Sequence, residues 1–165
     1  MQKLNNVLKW VVQGQNFVNA YTSVRRNKGA PGVDGLSVED MKKYLPKHWN
    51  DVKQSILDCS YQPSPVRSVM IPKMNEGRRL LGIPTVMDRV IQQSIHQLLN
   101  RHWEKKFSQY SYGFRPRRSA NDALRQSTAY INQGRQWIID LDLKSFFDKV
   151  DHVTDRSAGI LIKSE

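Results

Sequence analysis

The stretch WIIDLDL at 137–143 constrains this chain more than any other. Alternation with a period of two sets Ile139, Leu141 and Leu143 on one face. It sets Ile138, Asp140 and Asp142 on the other, the pattern of a buried strand with carboxylates on a single face. Two carboxylates in an otherwise apolar strand cost free energy unless water, a cation or a metal ion meets them. Phe146 and Phe147 follow within four residues, then Asp148 and Asp151. Oxygen-only donors of this kind suit Mg²⁺, which prefers one or two carboxylates together with substrate phosphate. Two-metal phosphoryl transfer needs such a carboxylate and normally a second from elsewhere in the chain. The residues alone leave another assignment open, in which Asp140 and Asp142 sit at a solvated strand end and Asp148 caps a helix.

The charge distribution narrows the class of partner. Twenty-six Lys and Arg against 15 Asp and Glu leave a net charge of +11 on 165 residues. Residues 1–139 hold 22 bases and 9 acids, whereas residues 140–165 hold 4 bases and 6 acids. The first acid, Asp34, follows five bases: Lys3, Lys9, Arg25, Arg26 and Lys28. A basic body joined to a locally acidic end points to a polyanion held against an acid-bearing site, and nucleic acid fits better than a solvated basic surface. A membrane surface fits poorly, because the bases interleave with turn signals instead of lining one amphipathic helix. No apolar run approaches the roughly 20 residues of a membrane helix. The start, MQKLNNVLKWVV, lacks the pattern of a signal peptide. The single cysteine, Cys59, excludes an internal disulfide and a cysteine zinc cage, and a reducing cytoplasm is the expected location.

Periodicity predicts an α+β, helix-rich chain with room for one domain. A helix is expected over 3–24, with Leu4, Leu8, Val11 and Val18 on its stripe and Val7 beside it. RRNKGAPGVDG at 25–35 reads as a loop. Ser37 and Asp40 begin a short helix ended near Pro46, and a second helix turns Trp49, Val52 and Ile56 inward. VRSVMIP at 66–72 and RRLLGIP at 78–84 form a hairpin, with Asn75 and Gly77 in its loop. Thr85 and Asp88 cap a strong helix bearing Val90, Ile91, Ile95, Leu98 and Leu99. Ser119 and Asp122 cap another, with Ala123, Leu124, Ser127, Tyr130 and Ile131 inward and Gly134 as its stop. Trp49 and Trp103 read as core, and the four histidines show no ligand spacing.

Three basic segments can meet phosphate. Lys73, Arg78 and Arg79 lie at the tip and base of the hairpin, where they either grip a triphosphate or blunt an exposed edge. In SYGFRPRRS at 111–119, Arg115, Arg117 and Arg118 interleave with Tyr112 and Phe114, a composition suited to stacking on bases or to a pinned surface loop. Arg25, Arg26 and Lys28 form either an RNA contact or a disordered arm.

Together these segments resemble the amino-terminal part of reverse transcriptases encoded by bacterial group II introns. RNKGAPGVDGLSVED is similar to the family's first block, and PSPVRSVMIPKMNEGRRLLGIPTVMDRVIQ to its fingers hairpin and following helix. FSQYSYGFRPRRSANDAL is similar to the third block, and WIIDLDLKSFFDKVDH to the palm motif with the first catalytic aspartate. Four blocks in the right order cover about residues 20–152.

The resemblance implies the fingers of a right-hand polymerase with the first palm strand. It implies an N-terminal helix and basic loop over 1–36, fingers over 37–135, the start of the palm over 136–152, and an unmatched tail over 153–165. It makes Asp142 the catalytic metal ligand, with the Leu143 backbone carbonyl beside it in a two-Mg²⁺ site, and Asp140 a supporting or solvated acid. Phe147 becomes the sugar gate. Lys73 and Arg79 contact the incoming triphosphate. Arg115 lies in the template-facing segment with Arg117 and Arg118, and Arg25, Arg26 and Lys28 clasp RNA template. The implied activity is RNA-directed DNA synthesis in intron mobility, with assistance to splicing, on RNA, DNA primer and deoxynucleotide.

Departures are Leu80 where the family often has proline, Arg117 where it often has glycine, and Asn121 where it often has histidine. VTDRSAGILIKSE does not resemble the palm continuation, and the acidic motif with the remaining aspartates is absent from these 165 residues. The expectation is therefore a fragment without polymerase activity of its own. Alternatives are an RNA-binding module or inactive remnant retaining intron RNA affinity, and a homodimer formed through the unpaired palm edge.

Overall fold

The structure, a computed structural model, describes residues 2–72 and 77–143. Its elements in chain order are α1 (Gln2–Val11), α2 (Gly14–Arg26), α3 (Met41–Leu57), β1 (Arg67–Pro72), β2 (Arg78–Ile83), α4 (Val86–Trp103), a 3-10 turn at Glu104–Lys106, and α5 (Ala120–Asn132). The mixed helix-and-hairpin class agrees with the periodicity. The chain divides into two units, Met1–Arg101 and His102–Glu165.

The helix expected over 3–24 is two helices. Gln13 is extended (φ −60°, ψ 134°), and Gly14 opens α2. The buried Asn16 stabilises the break. Its Nδ2 donates to the Val11 carbonyl at 3.1 Å and to the Ser94 carbonyl at 3.2 Å, while Gln97 Nε2 donates to Asn16 Oδ1 at 2.9 Å. The break buries both Val11 and Val12, and α2 then turns Phe17, Ala20 and Val24 into the core. Val7 and Val18, expected on or beside the buried stripe, are exposed.

Pro46 lies inside α3 and does not end it. A proline there removes one backbone donor and costs about 3 kcal/mol in an isolated helix. Anchors on both sides of it hold the helix together. Met41 and Ile56 are buried, and Trp49 packs on Phe17 with ring centroids 3.7 Å apart. The reciprocal Ser37–Asp40 bonds close the turn leading into α3, with Ser37 N donating to Asp40 Oδ2 at 3.0 Å and Asp40 N to Ser37 Oγ at 3.2 Å.

α4 begins at a polar knot. Thr85 Oγ1 donates to Asp88 Oδ2 at 2.6 Å and accepts from Asp88 N at 3.1 Å, so the expected cap is present. Asp88, only 3% exposed, also accepts from the Tyr61 hydroxyl at 2.7 Å and from Ser64 N at 3.2 Å. The partners of its carboxylate are two hydroxyls and one backbone amide. With its place in the first turn of a helix, this is an environment that tolerates a buried carboxylate. Burial, reinforced by Asp88, pushes the Tyr61 hydroxyl far above its ordinary range. Val86, Met87, Val90 and Ile91 enter the core, whereas Ile95 and Leu99 face outward, a correction to the expected stripe. The loop at 29–35 presses on this knot. A Cβ at Gly32 would lie 2.7 Å from both Thr85 Cα and Thr85 N.

β1 and β2 pair antiparallel from Arg67↔Ile83 to Pro72↔Arg78. Gly77, at φ +109°, leads into β2. Lys73 and Asn75 lie outside the described residues.

In the second unit Ser119 and Asp122 form a reciprocal capping box, and Gly134 at φ +84° follows the end of α5. α5 buries none of its residues, so Leu124 and Ile131 are exposed where an inward face was expected. Its ring contact is Tyr130 against Tyr110, with centroids 6.3 Å apart. Trp103 is half exposed beneath the Lys106 ammonium, not core. Residues 137–143 form no strand, and their apolar side chains are exposed (Trp137 95%, Leu141 89%). A strand requires a hydrogen-bonded neighbour, and none among the described residues pairs with this segment. Phe114 and Arg117 adopt left-handed φ values of 56° and 59°, a region that favours glycine.

Three stability measurements check these assignments. Gly32→Ala forces Cβ against the Thr85 backbone and is expected to destabilise by about 1–3 kcal/mol, whereas Gly14→Ala, with open space around its Cβ, is not. Urea titration of both variants separates them; equal midpoints would contradict the close packing. Arg117→Gly relieves left-handed strain and is expected to gain about 0.5–1 kcal/mol net of the freedom added to the unfolded chain. An unchanged or lower melting temperature counts against it. The raised Tyr61 hydroxyl favours the protonated phenol in the fold. Its contribution is therefore fully present below the unfolded value near pH ~10 and is lost as pH rises beyond it. Tyr61→Phe should flatten the alkaline limb of stability against pH; an unaltered limb would refute the coupling.

Candidate nucleic-acid and nucleotide interface

Hairpin register separates the two arginines of β2. Arg79 lies opposite Ile71, on the face shared with Val69 and Leu81, while Arg78 lies opposite Pro72 on the other face with Met70 and Leu80. A single triphosphate approaching one face therefore meets one of them. Lys73, the third cation of this set, lies outside the described residues.

The basic segment at the end of α2 rests on a fixed support. Arg25 and Arg26 occupy the last turn of α2, where cations suit the helix dipole, and all three basic side chains of the segment are exposed. Arg25 Nε lies 3.7 Å from Glu39 Oε1, an exposed pair that contributes little. Lys28 turns the chain at φ 47°. Arg89 of α4 then reaches the loop, its Nη2 donating to the Ala30 carbonyl at 2.7 Å. A Cβ at Gly29 would lie 2.2 Å from Arg89 Nη1. Burial holds the Arg89 guanidinium below its usual value, with Asp34 acting in the opposite sense. Of the two alternatives open for this segment, RNA contact or disordered arm, the structure supports an ordered surface. Arg89 was missed in the sequence. The available signal was its place after the Asp88 cap, one turn before a run of glutamines.

Arg115 is turned inward. Its side chain is 8% exposed and lies 2.8 Å from Glu104 Oε1. Nη1 donates to the carbonyls of Ser108 at 2.6 Å and Ser111 at 2.9 Å, and Nη2 to the Glu104 carbonyl at 3.2 Å. The guanidinium also sits 5.3 Å from the Phe107 ring. This expected template contact is occupied in holding the loop at 104–115, and the exposed face falls to its neighbours. Arg117 and the ring of Phe114 are exposed. Arg118 donates to the Gln109 carbonyl and lies 5.4 Å from the Tyr112 ring.

Asp140, Asp142 and Leu143 are exposed, and neither aspartate forms an ion pair with a described residue. Their hard oxygens match the donor preference of Mg²⁺. Their number falls short of a cage, because no group of three His, Cys, Asp or Glu side chains converges among the described residues. Phe147, Asp148 and Asp151 lie outside the described residues. No described helix is long and apolar enough to cross a membrane.

Residues 71–157 match the family described as reverse transcriptase (RNA-dependent DNA polymerase). Protein YkfC of Escherichia coli (strain K12) is 35% identical over 156 residues, covering 91% of this chain and 41% of that protein. The group II intron-encoded protein LtrA of Lactococcus lactis subsp. cremoris is 36% identical over 154 residues, covering 88% of this chain and 24% of LtrA. The putative COX1/OXI3 intron 2 protein of Saccharomyces cerevisiae is 30% identical over 149 residues, covering 88% and 17%. The chain spans less than half the length of each of these relatives. With more than half of its residues inside the family match, the chain belongs to the reverse transcriptase (RNA-dependent DNA polymerase) family.

Proposed function

We propose that this chain supplies the fingers and the first palm carboxylate of a group II intron reverse transcriptase. Such an enzyme copies intron RNA into DNA during mobility and assists splicing in the bacterial cytoplasm. The reading rests most on one observation: the family match over 71–157 takes in the end of β1, β2, α4, the arginine loop and the WIIDLDL segment in uninterrupted order. Residues 1–36 form the helical and basic entry, 37–135 the fingers, 136–152 the start of the palm, and 153–165 a tail outside it.

Arg79 takes triphosphate oxygens together with Lys73, and Phe147 excludes the wrong sugar. Arg25, Arg26, Lys28, Arg117 and Arg118 meet RNA backbone, with Arg115 holding the loop that carries the last two. Asp142 and the Leu143 carbonyl would hold Mg²⁺, whose charge, when bound, offsets that of the nucleotide phosphates. Exposure keeps the Asp142 carboxylate accessible to a cation and to substrate.

Among the described residues the donors fall short of a metal cage, and this supports inactivity of residues 1–165 on their own. Primer extension on an RNA template with Mg²⁺ is expected to give no product, and robust extension would contradict this. RNA binding is separable from catalysis. The chain should bind intron RNA with a log–log salt slope of about −0.7 per phosphate contact, and Arg26→Ala and Lys28→Ala should each reduce that slope by about 0.7. Absence of affinity at low salt refutes the RNA interface. The exposed apolar side chains at 137–143 favour a homodimer as a second assembly; light scattering showing a monomer at every concentration counts against it.

A further inference from the structure

A cleft of about 320 Å³ opens in the first unit between the end of α2 and one face of α4. Val24 and Asn27 line one wall, and Arg89, Gln92, Gln93 and His96 line the other. The four α4 positions follow the spacing i, i+3, i+4, i+7, so they form a single helical stripe. That stripe is polar, on a helix whose opposite face enters the core. Resting on the reading above, we propose that this cleft holds one unstacked base of single-stranded RNA, read by its edge.

Five features carry the assignment. The volume falls at the low end of small-ligand sites, which suits a single nucleotide and excludes a duplex. Three of the lining side chains are primary amides, which offer adjacent donor and acceptor groups complementary to base edges. The histidine ring adds a planar surface for stacking. The lining holds no carboxylate, and Arg26 and Lys28 flank Asn27 in the chain, where they meet the phosphates on either side of the base. Arg89 contributes a guanidinium already fixed through the Ala30 carbonyl, and its buried Nε has no acceptor among the described residues. A solvated polar face requires neither a concave shape nor a pinned arginine.

The test uses the 165-residue chain and a fluorescently labelled single-stranded RNA, with a duplex of equal length in parallel. Gln93→Ala and His96→Ala are expected to weaken single-strand binding by about three- to tenfold each, the worth of one hydrogen bond or stacking contact, at unchanged salt slope. Duplex binding should not change. Asn27→Ala, on the opposite wall, should give the same loss, which a folding defect in α4 cannot imitate. RNA carrying 4-thiouridine should crosslink to peptides containing Asn27 or residues 92–96. Neutral cleft variants in a chain that binds RNA overturn the base site and leave the RNA interface standing. A reduced salt slope in Gln93→Ala and His96→Ala would mean that the cleft takes phosphate, which also overturns it. No RNA affinity at low salt overturns both.

Discussion

The carboxylate of Asp88 organises the first unit. It accepts from the Tyr61 and Thr85 hydroxyls and from the Ser64 amide, and so joins the segment after α3 to the start of α4. A buried acid left without these partners would cost several kcal/mol. The sequence around it serves that knot. Thr85 caps, Gly32 allows the loop to lie on the Thr85 backbone, and the next residue, Arg89, reaches across to Ala30. Loop, helix start and post-helical segment therefore form one cooperative joint. The exposed bases at 25–28 project from the α2 end of that joint.

The second unit uses the same strategy with the charge reversed. A buried cation, Arg115, gathers the Glu104 carboxylate and three backbone carbonyls, and so shapes the loop that exposes Phe114 and Arg117. In both units a buried acidic or basic side chain holds backbone groups while its neighbours face solvent. This division of labour separates an arginine that binds from one that builds, and composition alone does not reveal it.

What the sequence made legible follows from locality. The caps at Thr85–Asp88 and Ser119–Asp122 are three-residue chemistry, and the hairpin is set by alternation and turn residues, so both could be read directly. Longer-range effects could not. The split between α1 and α2 depends on Asn16 bonding to Ser94, far away in the chain. Pro46 survives inside α3 because distant core contacts outweigh its local cost. The exposure of Leu124, Ile131 and Leu141 depends on which surfaces are available to cover them, and periodicity carries no such information. The candidate site divides in the same way. Arg25, Arg26 and Lys28 are candidates from charge, and Asp142 is singled out from Asp140 only by the family resemblance, whereas the reach of Arg89 to the loop and the inward turn of Arg115 required tertiary structure.

The Asp88 knot supports the basic surface through the loop that lies on Thr85. Hydrogen exchange of Asp88→Asn against the parent chain tests that most directly. Protection should fall at Ser64 and at Gly35, whose amide bonds the Gly32 carbonyl, as well as in the first turn of α4. Loss confined to the α4 turn, with Gly35 and Ser64 unchanged, would show that the loop and the helix start are held independently.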